Sequence, residues 1–355
     1  MKPAAASAGA TDTIDRAIEA VRAEFVPDFR SGVFDVAAET SGTRIVLRGQ
    51  STNPHAVDAL LTKLRDQGFA AIDEVLRLPD AALGASRHAL IRSAVAPVYA
   101  EPRLPAPQIS QLVLGMRVEI LSHAFEWSRI RGEDGYIGWV HGGYLQVGDD
   151  DWAFAWERGS AGESVVSLGA ELVDTDSRIL ARLPWGARLS RHSGAYHLPD
   201  GRSGDVANGD VVDIDRLGDW FPHRGESVAR TARRWQGAPY LWGGVTLNGV
   251  DCSGLTQAVL WMHGIALPRD SDLQARAGTG VALDLDFGEL RPGDLLFFAE
   301  SGARVSHVAF SLGGSTIIHS ALGNGGVNIN DLTGDAPIER QLAEMFVSAR
   351  RLLAD

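Results

Sequence analysis

The sequence predicts a small α+β module, two small all-β barrels and a C-terminal α+β domain, in that order. Three observations predict this architecture. Helical and alternating apolar spacings are mixed in the first ~90 residues, whereas short strands lie close together between glycine turns in the next part. In the last ~130 residues, a helix that begins at the single cysteine precedes alternating strands. The predicted bounds are 1–88 for the module, 89–148 and 163–222 for the barrels, and 226–355 for the C-terminal domain.

Composition narrows the function classes. With 45% hydrophobic and 22% charged residues, the 355-residue chain has enough apolar material for several cores, which excludes a mainly disordered protein. The formal net charge of −12 opposes contact with a phosphate backbone, so no nucleic-acid partner is expected. No run approaches the ~18 apolar residues of a membrane span, and the first residues have no apolar core of a signal peptide. We expect no membrane partner and a cytoplasmic location, unless the sequence was trimmed before Met1. The oligomeric state stays open.

The N-terminal module is predicted from two helical spacings around alternating strands. The strands cover 33–36 and 45–47, with Arg48-Gly49 ending the central strand, and Gln67-Gly68 ends the second helix. No chemistry is assigned to this helper module. Its predicted helical positions are Ile14, Ile18, Val21, Phe25 and Val57, Leu60, Leu61, Leu64.

The two barrels are predicted from short strands and from an internal repeat. Strands are expected at 117–121, 127–131, 136–140 and 144–145, with glycine turns at 133–135 and 141–143. Residues 112–118 align with 183–189, and a Gly-x-x-Gly-x-Val motif at Gly135 returns at Gly201. These matches predict tandem modules, joined by a polar connector over 149–162.

Cys252 is the single cysteine of the chain, and it lies at the start of a predicted helix. One cysteine excludes an intramolecular disulfide and any site that needs several cysteines, and no metal or cofactor is predicted. Free N–H groups at a helix start favour the thiolate, so we expect a nucleophile rather than a small buried hydrophobe. The apolar face of the helix is Leu255, Ala258, Val259 and Met262, and Gly264 closes it.

Two histidines on neighbouring predicted strands are candidates for the base that this nucleophile needs. Strand 306–312 contains His307, and strand 316–320 contains His319. A two-residue Gly-Gly turn would put the two rings on opposite faces of a hairpin, whereas an odd loop would put them opposite each other. A shared catalytic role requires one face, so we expect both rings side by side near the Cys252 helix.

Six short motifs follow one another in the C-terminal domain: Pro239-Tyr240-x-Trp242-Gly243-Gly244, Asp251-Cys252-Ser253-Gly254-Leu255, Leu267-Pro268-Arg269, Arg291-Pro292-Gly293-Asp294-Leu295, His307-Val308 and Ile318-His319. Together they resemble the NlpC/P60 family of papain-like cysteine peptidases over residues ~226–353. The resemblance implies that Cys252 is the nucleophile, His307 the general base and His319 the residue that orients it. Both barrels resemble bacterial SH3-type domains appended to cell-wall enzymes.

The resemblance also implies substrate contacts. Asp251, together with Glu101 and Tyr136 of the first barrel, is expected to bind the ammonium of a free N-terminal L-Ala. Tyr240 is expected to lie over the nucleophile. The other implied substrate-binding residues are Trp242, Ser253, Arg269, Asp270 and Ser271.

The predicted function is hydrolysis of the bond between γ-D-Glu and a diamino acid, diaminopimelate or Lys, in murein peptides during cell-wall fragment recycling. One alternative is a non-catalytic wall-binding protein, although the intact Cys252, His307 and His319 argue against it. Another is a related thiol amidase or acyltransferase with a different substrate.

Overall fold

The N-terminal module is a three-stranded sheet covered by two helices. A computed structural model of the protein describes residues 8–41, 44–157, 163–282, 287–300 and 304–353. Strand order is β1-β2-β3, with β1 antiparallel and β3 parallel to the central β2. The elements are α1 (Ala8–Phe25), β1 (Phe34–Ser41), β2 (Arg44–Ser51), α2 (Pro54–Asp66) and β3 (Ala71–Arg77).

The predicted apolar faces of this module are confirmed. Ile14, Ile18 and Val21 of α1 pack with Val57, Leu60 and Leu64 of α2 in one core. The prediction that Gly49 ends the central strand is wrong, because β2 continues to Ser51. Gly49 has a φ of 126°, and a Cβ there would lie 1.8 Å from the carbonyl oxygen of Asp35. Close approach of β1 explains this glycine.

The first barrel is a seven-stranded antiparallel sheet in the order β10-β4-β7-β8-β9-β5-β6. The predicted turn at 133–135 is confirmed, since Gly135 has a φ of 82°. At 141–143 the glycines instead enter a short 3₁₀ turn, Gly142–Tyr144, without positive φ. The strands are β4 (His88–Ile91), β5 (Val95–Tyr99), β6 (Gln108–Val113), β7 (Arg117–Ala124), β8 (Trp127–Arg131), β9 (Ile137–His141) and β10 (Leu145–Gly148).

The second barrel repeats the first strand for strand. Numbered within each barrel, both sheets have the order 7-1-4-5-6-2-3. The aligned glycines also share conformation: φ is 80° at Gly115 and 81° at Gly186, and 82° at Gly135 and 86° at Gly201. The tandem repeat is therefore structural. Its strands are β11 (Glu163–Ser167), β12 (Glu171–Val173), β13 (Ile179–Arg182), β14 (Arg188–His192), β15 (Ala195–His197), β16 (Ser203–Asn208) and β17 (Val211–Asp213).

The predicted polar connector is largely helical. Helix α3 (Asp150–Glu157) lies between the barrels, and the Asp149 carboxylate accepts a hydrogen bond from the Trp152 N–H at 2.8 Å. Ala153 and Trp156 are buried, and the aspartates of the first turn interact favourably with the helix dipole, so both features stabilise α3. Residues 158–162 of the connector lie outside the described residues.

The C-terminal domain packs helix α6 against a six-stranded sheet in the order β20-β25-β21-β22-β23-β24. Leu255 and Val259 of α6 share a core with Phe297, Val308 and Phe310 of the sheet. The elements are α4 (Leu217–Trp220), α5 (Gly225–Arg233), β18 (Val245–Thr246), β19 (Gly249–Val250), α6 (Cys252–Met262), α7 (Ser271–Gln274), β20 (Thr279–Gly280), β21 (Leu295–Glu300), β22 (Arg304–Gly313), β23 (Thr316–Ala321), β24 (Gly326–Asp331), α8 (Pro337–Met345) and β25 (Phe346–Arg351).

The N-terminal module is docked on the first barrel. Val33 and Leu78 of the module form one apolar cluster with Leu121 and Ile137 of the barrel. The Arg129 guanidinium also donates to Asp35 at 2.7 Å and to Gln50 at 3.0 Å. Within the described ranges, none of the helices has the length and apolar character needed to span a bilayer.

Candidate active site

Cys252 is the first residue of α6, and Asp251 caps that helix. The Asp251 carboxylate accepts the Gly254 N–H at 2.7 Å and the Gly243 N–H at 2.8 Å. Aspartate at this position satisfies N–H groups that have no partner within the helix. The cap fixes the start of α6, and with it the thiol.

The surroundings of the thiol favour its neutral form. Burial is the largest cause that raises the pKa of Cys252 to about 12, and the Asp251 charge adds to it. The N–H groups of Val308 and Ser253 and the charge of Arg269 act in the opposite direction but do not outweigh burial. The N–H group at the helix start favours the thiolate, as expected, but burial has the larger effect and the net pKa of the thiol is raised.

This pKa predicts how the thiol reacts with iodoacetamide. Only thiolate is alkylated, so the rate should rise about tenfold per pH unit from pH 7 to pH 10 without a plateau. The measurement is the mass of the adduct as a function of time and pH. Since Cys252 is the single cysteine, Cys252→Ser should give no adduct. A plateau below pH 8 would instead indicate a preformed thiolate–imidazolium pair.

The hairpin that carries the histidines contains a bulge. Strands β22 and β23 pair Phe310 with Ile318, but the register shifts between Ser311 and Gly313, so Leu312 is the extra residue. The tight turn is then Gly314-Ser315, not the Gly313-Gly314 turn considered from the sequence. The bulge supplies the odd residue that a shared face requires.

The predicted placement of the two rings on one face is confirmed. Extending the register puts His319 opposite Ala309, two residues from His307 on the same face. Nε2 of His307 lies 2.7 Å from Nδ1 of His319, and the rings meet edge to face. Helix α6 packs on the same two strands, and the thiol of Cys252 lies beside the N–H of Val308, the residue after His307.

Asn330 on β24 extends the pair into a relay that defines the tautomers. Its Oδ1 lies 3.0 Å from Nε2 of His319. The Asn324 amide nitrogen also lies 3.3 Å from this Nε2, but it donates over a shorter distance, 2.8 Å, to the Asn330 oxygen. Since an amide oxygen only accepts, Nε2 of His319 donates to Asn330, and Nδ1 of His319 accepts from Nε2 of His307. Nδ1 of His307 is then unprotonated and able to take a proton. Burial lowers the pKa of both imidazoles, most strongly for His307, whose neighbour His319 adds to the effect.

The orientation of the Asn330 amide is itself fixed. Its nitrogen donates to Glu339 at 3.4 Å, and its oxygen accepts from Asn324 at 2.8 Å. Sequence reasoning missed Asn330, although the alternation over 327–330 is a strand signal that places Asn328 and Asn330 on one face. Its contact with His319 depends on strand order, which no local pattern contains.

The structure reassigns Asp251. Arg269, almost fully buried, donates to its two oxygens at 3.0 and 2.7 Å, and also to Ser253 at 2.8 Å and to Ser110 of the first barrel at 3.0 Å. With two backbone N–H groups also bound, Asp251 is a helix cap and ion-pair partner. The role expected for Asp251, binding a substrate ammonium, is therefore corrected, because Arg269 already neutralises its charge.

A cavity of about 480 Å³ opens beside Cys252, and three parts of the chain line it. Of the predicted substrate residues, Tyr136, Trp242, Asp251, Ser253, Asp270 and Ser271 line it. The Tyr136 hydroxyl donates to Oδ2 of Asp270 at 3.1 Å, and the Trp242 side chain is 66% exposed. The unexpected contributors are Phe29 and Arg30 of the N-terminal module.

Three predicted substrate residues remain, and none of them is in the cavity lining. Arg269 is 1% exposed and is bound by Asp251, Ser253 and Ser110, so it supports the site from within the protein. Tyr240 lies close enough to Cys252 that the thiolate charge, after burial, helps raise the pKa of Tyr240 to about 12. Glu101 does not reach the cavity: its side chain is exposed and paired with Arg103 at 2.8 Å, while its neighbour Ala100 is in the lining. Spacing along the sequence cannot predict which of the neighbours Ala100 and Glu101 faces the cavity.

The sequence is similar to those of known peptidases. The sequence profile of the NlpC/P60 family matches residues 237–345, and that of the bacterial SH3 domain matches residues 94–146. The γ-D-glutamyl-L-lysine dipeptidyl-peptidase of Bacillus cereus is 30% identical over 264 residues, covering 69% of this chain and 75% of the relative. Dipeptidyl-peptidase 6 of Lysinibacillus sphaericus is 26% identical over 275 residues, covering 72% and 95%.

The likeness extends to solved structures. The crystal structure of an NlpC/P60 family protein from Bacillus cereus has a TM-score of 0.61 at 24% identity, covering 75% of this chain and 100% of that chain. An NlpC/P60 endopeptidase from Photobacterium damselae has a TM-score of 0.54 at 18% identity, covering 76% and 72%. At these identities the structures bear on the fold, and they confirm the predicted fold class.

Proposed function

This chain belongs to the NlpC/P60 family of peptidases, and we propose that it hydrolyses the γ-D-Glu to diamino-acid bond of murein peptides whose N-terminal L-Ala is free. The observation that carries the proposal is the position of the Cys252 thiol, beside the N–H of Val308 and so one residue from His307 of the His307–His319–Asn330 relay. The adjacent cavity is lined by Cys252 and by three aspartates, Asp251, Asp270 and Asp272. One relative, a γ-D-glutamyl-L-lysine dipeptidyl-peptidase, supports this choice of bond, and a second, dipeptidyl-peptidase 6, supports dipeptidyl-peptidase activity. The diamino acid is diaminopimelate or lysine.

The reaction begins from neutral partners. As the Cys252 sulfur attacks the γ-carbonyl carbon, the thiol proton moves to Nδ1 of His307, so no free thiolate is needed. Backbone N–H groups at the start of α6 stabilise the oxyanion. The imidazolium gives its proton to the departing amine, and water then hydrolyses the thioester, which restores the thiol. His319 holds His307 in the required tautomer throughout.

The free ammonium of the substrate is proposed to bind at Asp270 and Tyr136. Both hydrogen bonds to the Asp270 carboxylate involve Oδ2, from Tyr136 at 3.1 Å and from Arg30 at 2.9 Å. Oδ1 of Asp270 is left without a protein partner among the described residues. Oδ1 can therefore accept a hydrogen bond from a substrate ammonium, and the negative charge of Asp270 strengthens such a bond.

We expect a strong preference for the free amine. The kcat/KM for L-Ala-γ-D-Glu-diaminopimelate should exceed that for its N-acetylated form by about 100-fold or more, because acetylation removes the charge and leaves a carboxylate unpaired. Asp270→Asn should lose most of this preference. Release of the diamino acid is followed by mass spectrometry.

Glu101→Ala is the matched control, because Glu101 is an exposed carboxylate of the first barrel outside the cavity. It should keep the parent's preference. Equal rates on both peptides would contradict free-amine selection, whereas no release from either peptide would contradict the proposed substrate.

In intact wall polymer this alanine is amide-linked, so the enzyme is proposed to act on fragments after an amidase has freed them.

A further inference from the structure

We infer that the N-terminal module forms part of the substrate site and that Arg30 is a positioning residue for the carboxylates that read the substrate. The inference rests on the proposed function, since it concerns the same cavity. Arg30 and its neighbour Phe29 line the cavity together with Cys252, Tyr136 and Asp270. The sequence assigned this module no chemistry.

Every donor of the Arg30 guanidinium is used. Within the module, it donates to both oxygens of Asp28 at 2.8 and 2.6 Å. Across the interface it donates to Asp270 at 2.9 Å and to both oxygens of Asp272 at 2.7 and 3.1 Å. A planar guanidinium suits such paired geometry, which a lysine cannot reproduce. Arg30 thus joins positions 240 residues apart in the sequence.

The backbone of Arg30 is also fixed. Its carbonyl oxygen accepts the Ile137 N–H at 2.7 Å, directly beside Tyr136. The apolar cluster of Val33, Leu78, Leu121 and Ile137 lies at the same interface and stabilises the contact between the two surfaces. Arg30 is 8% exposed, so its charge acts at short range with little screening.

Charge explains why the carboxylates need Arg30. Without Arg30, the carboxylates of Asp28, Asp270 and Asp272 would face one another. Of the ion pairs described above, only the one between Arg304 and Asp272 would remain. Like charges at this spacing repel, so a carboxylate would take up a proton or turn away. In the folded protein, Arg30 and Arg304 outweigh burial and lower the pKa of Asp272. Asp270, which is also bound by Tyr136, would lose its fixed position.

The test is the kinetics of Arg30→Met on the free tripeptide. We expect KM to rise at least about tenfold, the effect of losing a charge-assisted hydrogen bond, while kcat changes less than about threefold. The preference for the free over the N-acetylated peptide should fall in parallel. Combining Arg30→Met with Asp272→Asn returns the net charge of this group of three carboxylates and two arginines to its parental value, so it should partly restore KM. A merely structural role predicts no such rescue.

Controls separate this inference from stability and from the proposed function. Arg16→Met changes an exposed arginine of the same module, paired only with nearby Asp12, and should leave both constants unchanged. If Arg30→Met fails to fold, Arg30→Lys, which keeps the charge without the paired geometry, should show an intermediate KM. A parental KM in folded Arg30→Met overturns the inference alone. A parent protein that does not cleave the tripeptide overturns the proposed function, and the inference with it.

Discussion

Replacing Cys252 with alanine is expected to lower kcat by at least about 10⁴-fold, the scale on which enzymes lose activity when a nucleophile is removed. The thiol is the atom that forms the acyl intermediate, and no other cysteine of the chain can take its place. The fold should survive, because Asp251 rather than Cys252 caps α6. The measurement is diaminopimelate release, with circular dichroism and thermal melting as the check on folding.

Cys252→Ser is the companion variant. Serine preserves the shape of the side chain but has a far higher pKa, and the neutral His307 is too weak a base to activate it efficiently. It should therefore be nearly as inactive as the alanine variant. Turnover by the alanine variant at more than a hundredth of the parental rate would reject Cys252 as the nucleophile.

Removing the histidines should give graded losses. His307→Ala is expected to lower kcat/KM by about 10³ to 10⁴-fold, because the proton acceptor itself is lost. His319→Ala should cost less, about 10²-fold, since His307 keeps its base but loses the partner that selects its tautomer. His319→Gln, whose amide oxygen can accept from His307, should recover part of this loss.

The matched control is His55→Ala, an exposed histidine on α2 of the N-terminal module. It should retain parental kcat/KM. Parental activity in His307→Ala would exclude the relay, and a larger loss in His319→Ala than in His307→Ala would exchange the two roles. The assay is again diaminopimelate release, at several substrate concentrations so that kcat and KM are separated.

Local signals predicted much of the catalytic domain. The start of α6 follows from the apolar helical spacing of Leu255, Ala258, Val259 and Met262, and the His307 and His319 strands follow from alternation. Both patterns reflect contacts within a few residues. The predicted peptidase class is confirmed by the relatives and the family profile.

Non-local contacts account for what the sequence could not predict. The face shared by the two histidines depends on a bulge at Leu312, and one residue more or less reverses such a prediction. Asp251 was assigned to the substrate because its partner Arg269 lies 18 residues away along the chain. Arg30 meets Asp270 across 240 residues. Contacts of this kind depend on how strands pair and how distant segments of the chain pack together. Hydrophobic periodicity contains no information about either.

The contact between Ser110 and Arg269 means that the first barrel cannot be exchanged without consequence for the catalytic domain. A hydroxyl of this barrel accepts from the buried guanidinium that neutralises Asp251, the cap of the nucleophile helix. A barrel without that hydroxyl would leave a buried donor of Arg269 without this partner. The second barrel, in contrast, contributes no residue to the cavity beside Cys252.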